Sequence, residues 1–316
     1  MGCPVSRLRY TYVFTPNFIF NEVAECYRQA GKRLGWMTVD NDYYAWAWAD
    51  TRPEWYDPDQ VLVFWCNLPW KIPPRPYRKA TCVFHYVESV GNLENLVDTQ
   101  RHWLDIHLKK AHEVDLFLVG TPPVRDFWLP RCPKVAMMPI GYDPEVMGRP
   151  DWTREKVYDV GFCGVPVGRR EWILPAMRKR FGPKFLDVTV FGRARNAAFD
   201  ACKAMLYVGH SDEKAFADMR LWSATACSAA LVTEDRDAWP AVAGRHYIAL
   251  PHAQKENVDA FVDMVEQALK QPLTDIAKTA HEELSKFTVE RCFEEFLVPA
   301  VLEVRGAGGD IRPVSS

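Results

Sequence analysis

The chain of 316 residues has no uninterrupted apolar run near the roughly 18 residues that a membrane-spanning helix needs. Its first residues, Met1 to Arg7, lack the apolar core of a secretory signal and lead straight into a strand-like segment, so the expected location is the cytoplasm. An excess of one charge is also missing. Lys+Arg 39 against Asp+Glu 41 leaves a net charge of −2, which excludes a generic polyanion binder and leaves room only for a local patch. The 9 cysteines are odd in number, widely scattered and without a CxxC pair. That spacing indicates neither a disulfide framework nor a metal site, and most fall in apolar patterns where a free cysteine is a small buried hydrophobe. Neither a P-loop nor a GxGxxG fingerprint is present, and no repeat at a period of roughly 20–50 residues appears.

What is present is an ordinary globular mixture, 48% hydrophobic and 25% charged, at a length that suggests two domains. Aromatics stand out: of 12 Trp, six fall between Trp36 and Trp70. Short β-branched or aromatic runs alternate with helical patterns. Strands are expected at Arg9–Thr15, Trp36–Asp40, Gln60–Cys66, Thr81–Val87, Asp115–Val119 and Lys134–Pro139, with helices over Phe20–Leu34 and Glu94–His112. After the turn Ile140–Pro144 and a polar linker to Arg154, the alternation restarts. Strands are expected at Val157–Cys163, Phe185–Phe191, Met205–Val208, Ala229–Thr233 and Tyr247–Leu250, with helices over Gly168–Phe181, Asp212–Cys227 and Asn257–Leu269 and a helical tail Leu273–Val304. Apolar strands of this kind suit parallel sheets covered on both faces, and the alternation implies right-handed βαβ units. The reading is α/β with two Rossmann-like domains: residues 1–145, residues 146–290, and a C-terminal helix and tail over 291–316 that cross back to the first.

Ligands of open parallel sheets bind beyond the carboxyl ends of the strands, which selects the loops to inspect. The most informative is Gly164–Arg170, where two glycines bracket a short loop and a helix opens with Arg169 and Arg170. Backbone N–H groups at a helix start and two guanidiniums would cradle a diphosphate, although paired arginines are more often a solvated helix face. Gly192–Arg195 and Gly209–Asp212 are the other two loops of the second unit.

The segments Met138–Pro144, Tyr158–Gly164 and Arg220–Trp222 resemble the two-domain GT-B glycosyltransferases. More narrowly, Val208–His210 through Met219–Trp222 to Leu231–Asp235, with Gly168–Glu171 and Phe191–Arg195 in register, resembles the DNA β-glucosyltransferases of T-even phages. The resemblance covers roughly residues 134–290 and is positional before that. It implies a nucleoside diphosphate sugar donor, UDP-glucose, and a hydroxymethylcytosine acceptor in double-stranded DNA, acted on in the host cytoplasm. It implies donor contacts from Gly164, Gly168, Arg169, Arg170, Gly192, Arg195, Gly209, Arg220 and Ser223. Two positions depart from the family pattern. Ser223 stands where the family has a ribose-binding Glu, and Pro166 where the phage enzymes have a phosphate-binding Arg.

An acceptor hydroxyl needs a base during attack, and the resemblance places that base at Glu88; the other reading of Glu88 is a loop cap. His85, Asp40 and Asp42 are reserves, although His85 reads more readily as a strand histidine with its bonds satisfied. For the acceptor, Asn17 and the stretch Trp70, Lys71, Arg75, Tyr77, Arg78 and Lys79 combine charge with aromatic rings, as phosphate and base contacts require. A rigid, proline-rich connector fits that stretch equally well. No cofactor is required, a divalent metal stays open although no site for one is visible, and a monomer is expected. Two other functions stay open: a GT-B enzyme of polysaccharide, lipid or protein glycosylation, and a non-catalytic nucleotide-sugar or nucleic-acid binder.

Overall fold

The computed structural model describes residues 8–14, 21–40, 52–66, 68, 72–87, 98–210 and 218–307. Two wholly parallel sheets organise the chain. The first contains β1 (Arg9–Phe14), β2 (Met37–Asp40), β3 (Gln60–Trp65), β4 (Thr81–Tyr86), β5 (Leu116–Val119) and β6 (Val135–Met137), in the order β2-β1-β3-β4-β5-β6. The second contains β7 (Tyr158–Phe162), β8 (Phe185–Asp187), β9 (Cys202–Tyr207), β10 (Ala230–Glu234) and β11 (Ile248–Leu250), in the order β11-β10-β9-β7-β8. The strands around the centre of the first sheet are buried and nearly all apolar because both faces are covered. Side chains alternate by the period of two: Val61, Val63 and Trp65 join one core, Leu62 and Phe64 the other.

The helices of the first half are α1 (Asn21–Arg33), α2 (Asp98–Lys110) and α3 (Pro122–Trp128). A short α4 (Pro144–Met147) lies in the connection, where the Asp143 carboxylate accepts the N–H groups of Glu145 (2.9 Å) and Val146 (3.4 Å) as an N-cap. The second half adds α5 (Arg170–Phe181), α6 (Gly192–Phe199), α7 (Asp218–Thr225), α8 (Val258–Ala268) and α9 (Leu273–Leu284). The strand expected through Phe191 stops at Asp187. Gly192–Arg195, expected as a loop, is the first turn of α6.

The chain then returns to the first sheet through α10 (Val289–Cys292), a π turn (Phe293–Leu297) and α11 (Val298–Ala307). The Phe293 ring lies 4.7 Å from Trp36, 5.3 Å from Tyr27 and 5.5 Å from Tyr12. Arg305 donates to Pro58 O (2.7 Å) and Thr81 Oγ1 (3.2 Å), at the amino end of β4. One apolar cluster runs from Tyr12 and Trp65 through Tyr142, Met147 and Phe293 to Tyr207 and Trp222, so the two sheets share a core along one side.

Candidate functional site

Chain order reverses between β1 and β3 in the first sheet and between β7 and β9 in the second. At such switch points the loops leave in opposite directions and open a crevice at the carboxyl ends of the strands. In the second sheet the crevice is bordered by the loop that follows Phe162 and the loop that follows Tyr207. In the first, the residues that follow β1 lie outside the described ones. Asn17, Asp42, Trp70, Lys71 and Glu88 lie outside the described residues. Asp40 ends the edge strand β2, exposed, with Arg28 3.6 Å away.

The loop after β7 is built to touch the loop after β9. Gly168 has φ +60, and a Cβ there would stand 2.2 Å from His210 O, so only glycine fits; the Arg169 N–H donates to that carbonyl (3.0 Å). The expected cradle of free N–H groups is not available. Arg170, Glu171 and Trp172 donate their N–H groups back to Val167, Gly168 and Arg169, which leaves only the dipole of α5 to favour an anion.

Arg169 also differs from expectation. Its guanidinium forks onto Glu234, bonding Oε2 at 3.1 Å and Oε1 in a short contact, and donates to Ala253 O (2.8 Å). Glu234 ends β10 fully buried and also accepts from Arg236 (2.9 Å), Gly209 N (3.2 Å) and Ala253 N (3.0 Å). Burial by itself would raise its pKa; the Arg169 hydrogen bond and the charges of Arg236 and Arg169 outweigh it and hold the carboxyl below its usual range. Glu234 is a knot tying three loops, and Arg169 is one of its strands. The sequence signal was a charge ending an apolar strand, Ala230–Glu234, with an arginine two residues on.

Arg170 is buried, donates to Val208 O (2.9 Å) and Val165 O (3.2 Å), and stands over Phe162 and Tyr207 at 5.5 and 6.0 Å from the ring centres. Arg195 is buried too, bonded to Asn196 Oδ1 (3.0 Å), Ser223 Oγ (2.5 Å) and Glu22 Oε2 (2.5 Å). Ser223, 2% exposed, takes that bond and donates to Met219 O (2.8 Å), so its hydroxyl is committed inside the protein rather than turned to a ribose.

Arg220 is the remaining cation. It is half-buried in α7, near Cys163 and Tyr207, and no carboxylate pairs with it among the described residues. Desolvation, and then the charge of Arg195, lower its pKa, which still leaves a guanidinium charged. Five arginines thus gather at this edge: 169, 170, 195, 220 and 236. Two described carboxylates pair with them, Glu234 and Glu22.

The other expected positions lie elsewhere. His85 is 1% exposed, bonded through Nδ1 to Tyr12 OH (2.8 Å) and stacked on Tyr27; burial lowers its pKa to about 3. It is a core histidine, not a reserve base. Arg78 is buried and bonded to Pro73 O, Ala80 O, Glu113 O and Asp115 Oδ2, and Arg75 pairs with Asp115 at 3.2 Å. These residues, with exposed Tyr77 and Lys79, precede β4 and so sit at the amino edge of the sheet, opposite the crevice. Among the described residues no group of three or more His, Cys, Asp or Glu could hold a metal, and no helix is long and apolar enough to cross a membrane.

This architecture, two parallel sheets with their crevices at the strand ends, is the GT-B fold. No protein-family model matches the chain, and no curated protein sequence matches it significantly. Solved structures do. Anabaena HepE in complex with UDP-glucose superposes with TM-score 0.62 at 10% identity, over 95% of this chain and 100% of HepE. The pneumococcal O-GlcNAc transferase GtfA gives 0.54 at 12% over 79% of this chain, and the lipopolysaccharide outer core galactosyltransferase WaaB gives 0.52 at 10% over 94%. The chain spans 58% of GtfA and 57% of TarM, but 99% of WaaB.

Proposed function

We propose that the protein is a glycosyltransferase that moves a sugar from a nucleoside diphosphate donor to a hydroxyl. The observation that carries this reading is Arg220. A half-buried guanidinium with no carboxylate among the described residues, beside Arg195 and at the switch point of the second sheet, calls for an anion from outside. A diphosphate supplies it, and the dipole of α5 favours it. UDP-glucose is the proposed donor, in line with the sequence resemblance and with HepE, whose structure contains it.

The first sheet and its returning helix form the acceptor half in this reading, and Glu88, two residues in sequence after the central strand β4, takes the proton of the attacking hydroxyl. One base on the acceptor side suits an inverting displacement. A hydroxymethylpyrimidine in DNA is the acceptor favoured by the resemblance. The place of Arg75, Arg78 and Lys79 at the far edge of the sheet withdraws the phosphate contacts that supported it, so glycan hydroxyls belong in the same test. That test incubates the protein with a panel of nucleotide sugars, alone and with hydroxymethylated DNA or oligosaccharides, and weighs the products by mass spectrometry. Sugar on a digested nucleoside supports the DNA acceptor, and sugar on an oligosaccharide supports the glycan. Binding of a nucleotide sugar with neither transfer nor hydrolysis refutes an enzyme and leaves a binding protein.

A further inference from the structure

The arginine cluster lies on the second sheet, yet one of its two described counter-anions comes from the first. Glu22, in the opening turn of α1, reaches Arg195 (2.5 Å) through Oε2 and the Asn196 amide (3.1 Å) through Oε1. Its side chain is 12% exposed and that of Arg195 7%. The Asn196 amide also donates to Met147 O (2.9 Å), which pins the contact to the connection between the halves. At the other end of α1, Arg33 bonds Asp143 (2.6 Å), Glu145 (3.4 Å) and Glu290. A helix of 13 residues, about 20 Å long, is therefore anchored at one end to the connection and returning helix, and at the other to the proposed donor site.

We propose that Glu22 sets donor affinity as the internal counter-anion of this cluster, and that the diphosphate of the donor displaces it. The inference rests on the donor reading above. Arg195 and Arg220 are close enough for each to oppose the other's charge. With no ligand bound, Glu22 neutralises one of the two. A diphosphate brings its own negative charges to the same pair and repels the carboxylate already there. Arg195 keeps Ser223 and Asn196 as partners when Glu22 leaves, so the guanidinium stays in place for the ligand. The start of α1 is then released while Arg33 still holds its far end. Donor binding and the Glu22 contact oppose each other, and by linkage each weakens the other equally.

The test titrates UDP into the full chain by calorimetry and follows amide hydrogen exchange along residues 21–33. Glu22→Gln keeps the shape and the Asn196 contact but removes the charge. UDP should bind it about fivefold to tenfold more tightly than wild type, and Glu22→Asp should fall back towards wild type. UDP added to wild type should speed exchange at the start of α1 and leave the residues near Arg33 unchanged. Equal or weaker UDP binding by Glu22→Gln overturns the proposal, as does unchanged exchange in wild type on saturation with UDP. A thermal melt of Glu22→Gln matching wild type in cooperativity shows that the comparison is between folded proteins; with a lost transition, the exchange of wild type on saturation with UDP decides alone. Wild type that takes up neither UDP nor another nucleoside diphosphate overturns this proposal and the donor reading together, whereas UDP binding insensitive to Glu22 overturns this one alone.

Discussion

Replacing Arg220 by alanine separates a binding residue from a structural one, because its two effects should have different sizes. The side chain is half-buried beside Arg195 and has no carboxylate partner among the described residues, so its loss orphans no buried anion. A charge-assisted hydrogen bond is worth about 1.5–3 kcal/mol, and UDP affinity should fall about tenfold to about 150-fold. Fold stability should hold or rise slightly, since the repulsion from Arg195 disappears. Arg169→Ala is the contrast. It leaves the fully buried Glu234 short of its bidentate partner, with Arg236 still present, and should cost about 3 kcal/mol of stability. Calorimetric titration with UDP reads the first quantity, and urea unfolding followed by tryptophan fluorescence reads the second. If Arg220→Ala binds UDP like wild type, or is destabilised as much as Arg169→Ala, the assignment of Arg220 to the donor is refuted.

Glu88→Gln should lower transfer about 10²–10⁴-fold with UDP affinity nearly intact, and a variant that keeps more than about a tenth of the rate moves the base elsewhere. Arg78→Ala should destabilise the protein by about 3 kcal/mol, because Asp115 loses its buried cationic partner and three carbonyls lose their donor, without changing acceptor KM in the residual folded enzyme; a KM effect alone would return this segment to the acceptor site. Stability should fall between pH 7.5 and pH 5. Burial lowers the pKa of His85 to about 3 and of His107 to about 4, whereas the unfolded chain binds these protons near 6.5, so protons favour the unfolded state across that window. The loss at pH 5 is about 2 kcal/mol for each histidine, and equal urea midpoints at the two pH values would contradict it.

Strands were legible wherever burial on both faces gave a nearly continuous apolar run, as in Gln60–Trp65 and Thr81–Tyr86, and the two-sheet plan followed from them. Shorter elements were not. Phe185–Asp187 ends early because the edge strand β8 pairs on one side only, and Gly192 with φ +62 opens a helix where glycine and arginine suggested a loop. The loops proposed for the donor could be singled out because a parallel sheet puts every post-strand loop at one edge. The same rule already placed Arg75–Lys79, which precede a strand, at the opposite edge; local charge and aromatic content pointed the other way. Glu22 and Glu234 were missed for a different reason. Their partners Arg195 and Arg169 are remote in sequence, and one sequence carries no record of which carboxylate neutralises which guanidinium across such distances.

The returning segment has a consequence for how the protein is made. The first sheet's own last strand ends at Met137, but the aromatic ring that closes over Tyr12, Tyr27 and Trp36 is Phe293, and the side chain that reaches the amino end of β4 is Arg305. During synthesis the first half therefore emerges from the ribosome with an open aromatic face and waits for the whole second half to follow. A polypeptide ending near residue 285 would carry a complete second sheet and an unfinished first one. Expressed alone, residues 1–145 should be sticky and chaperone-dependent, and a separate peptide covering 286–307 should bind them and restore a cooperative melt.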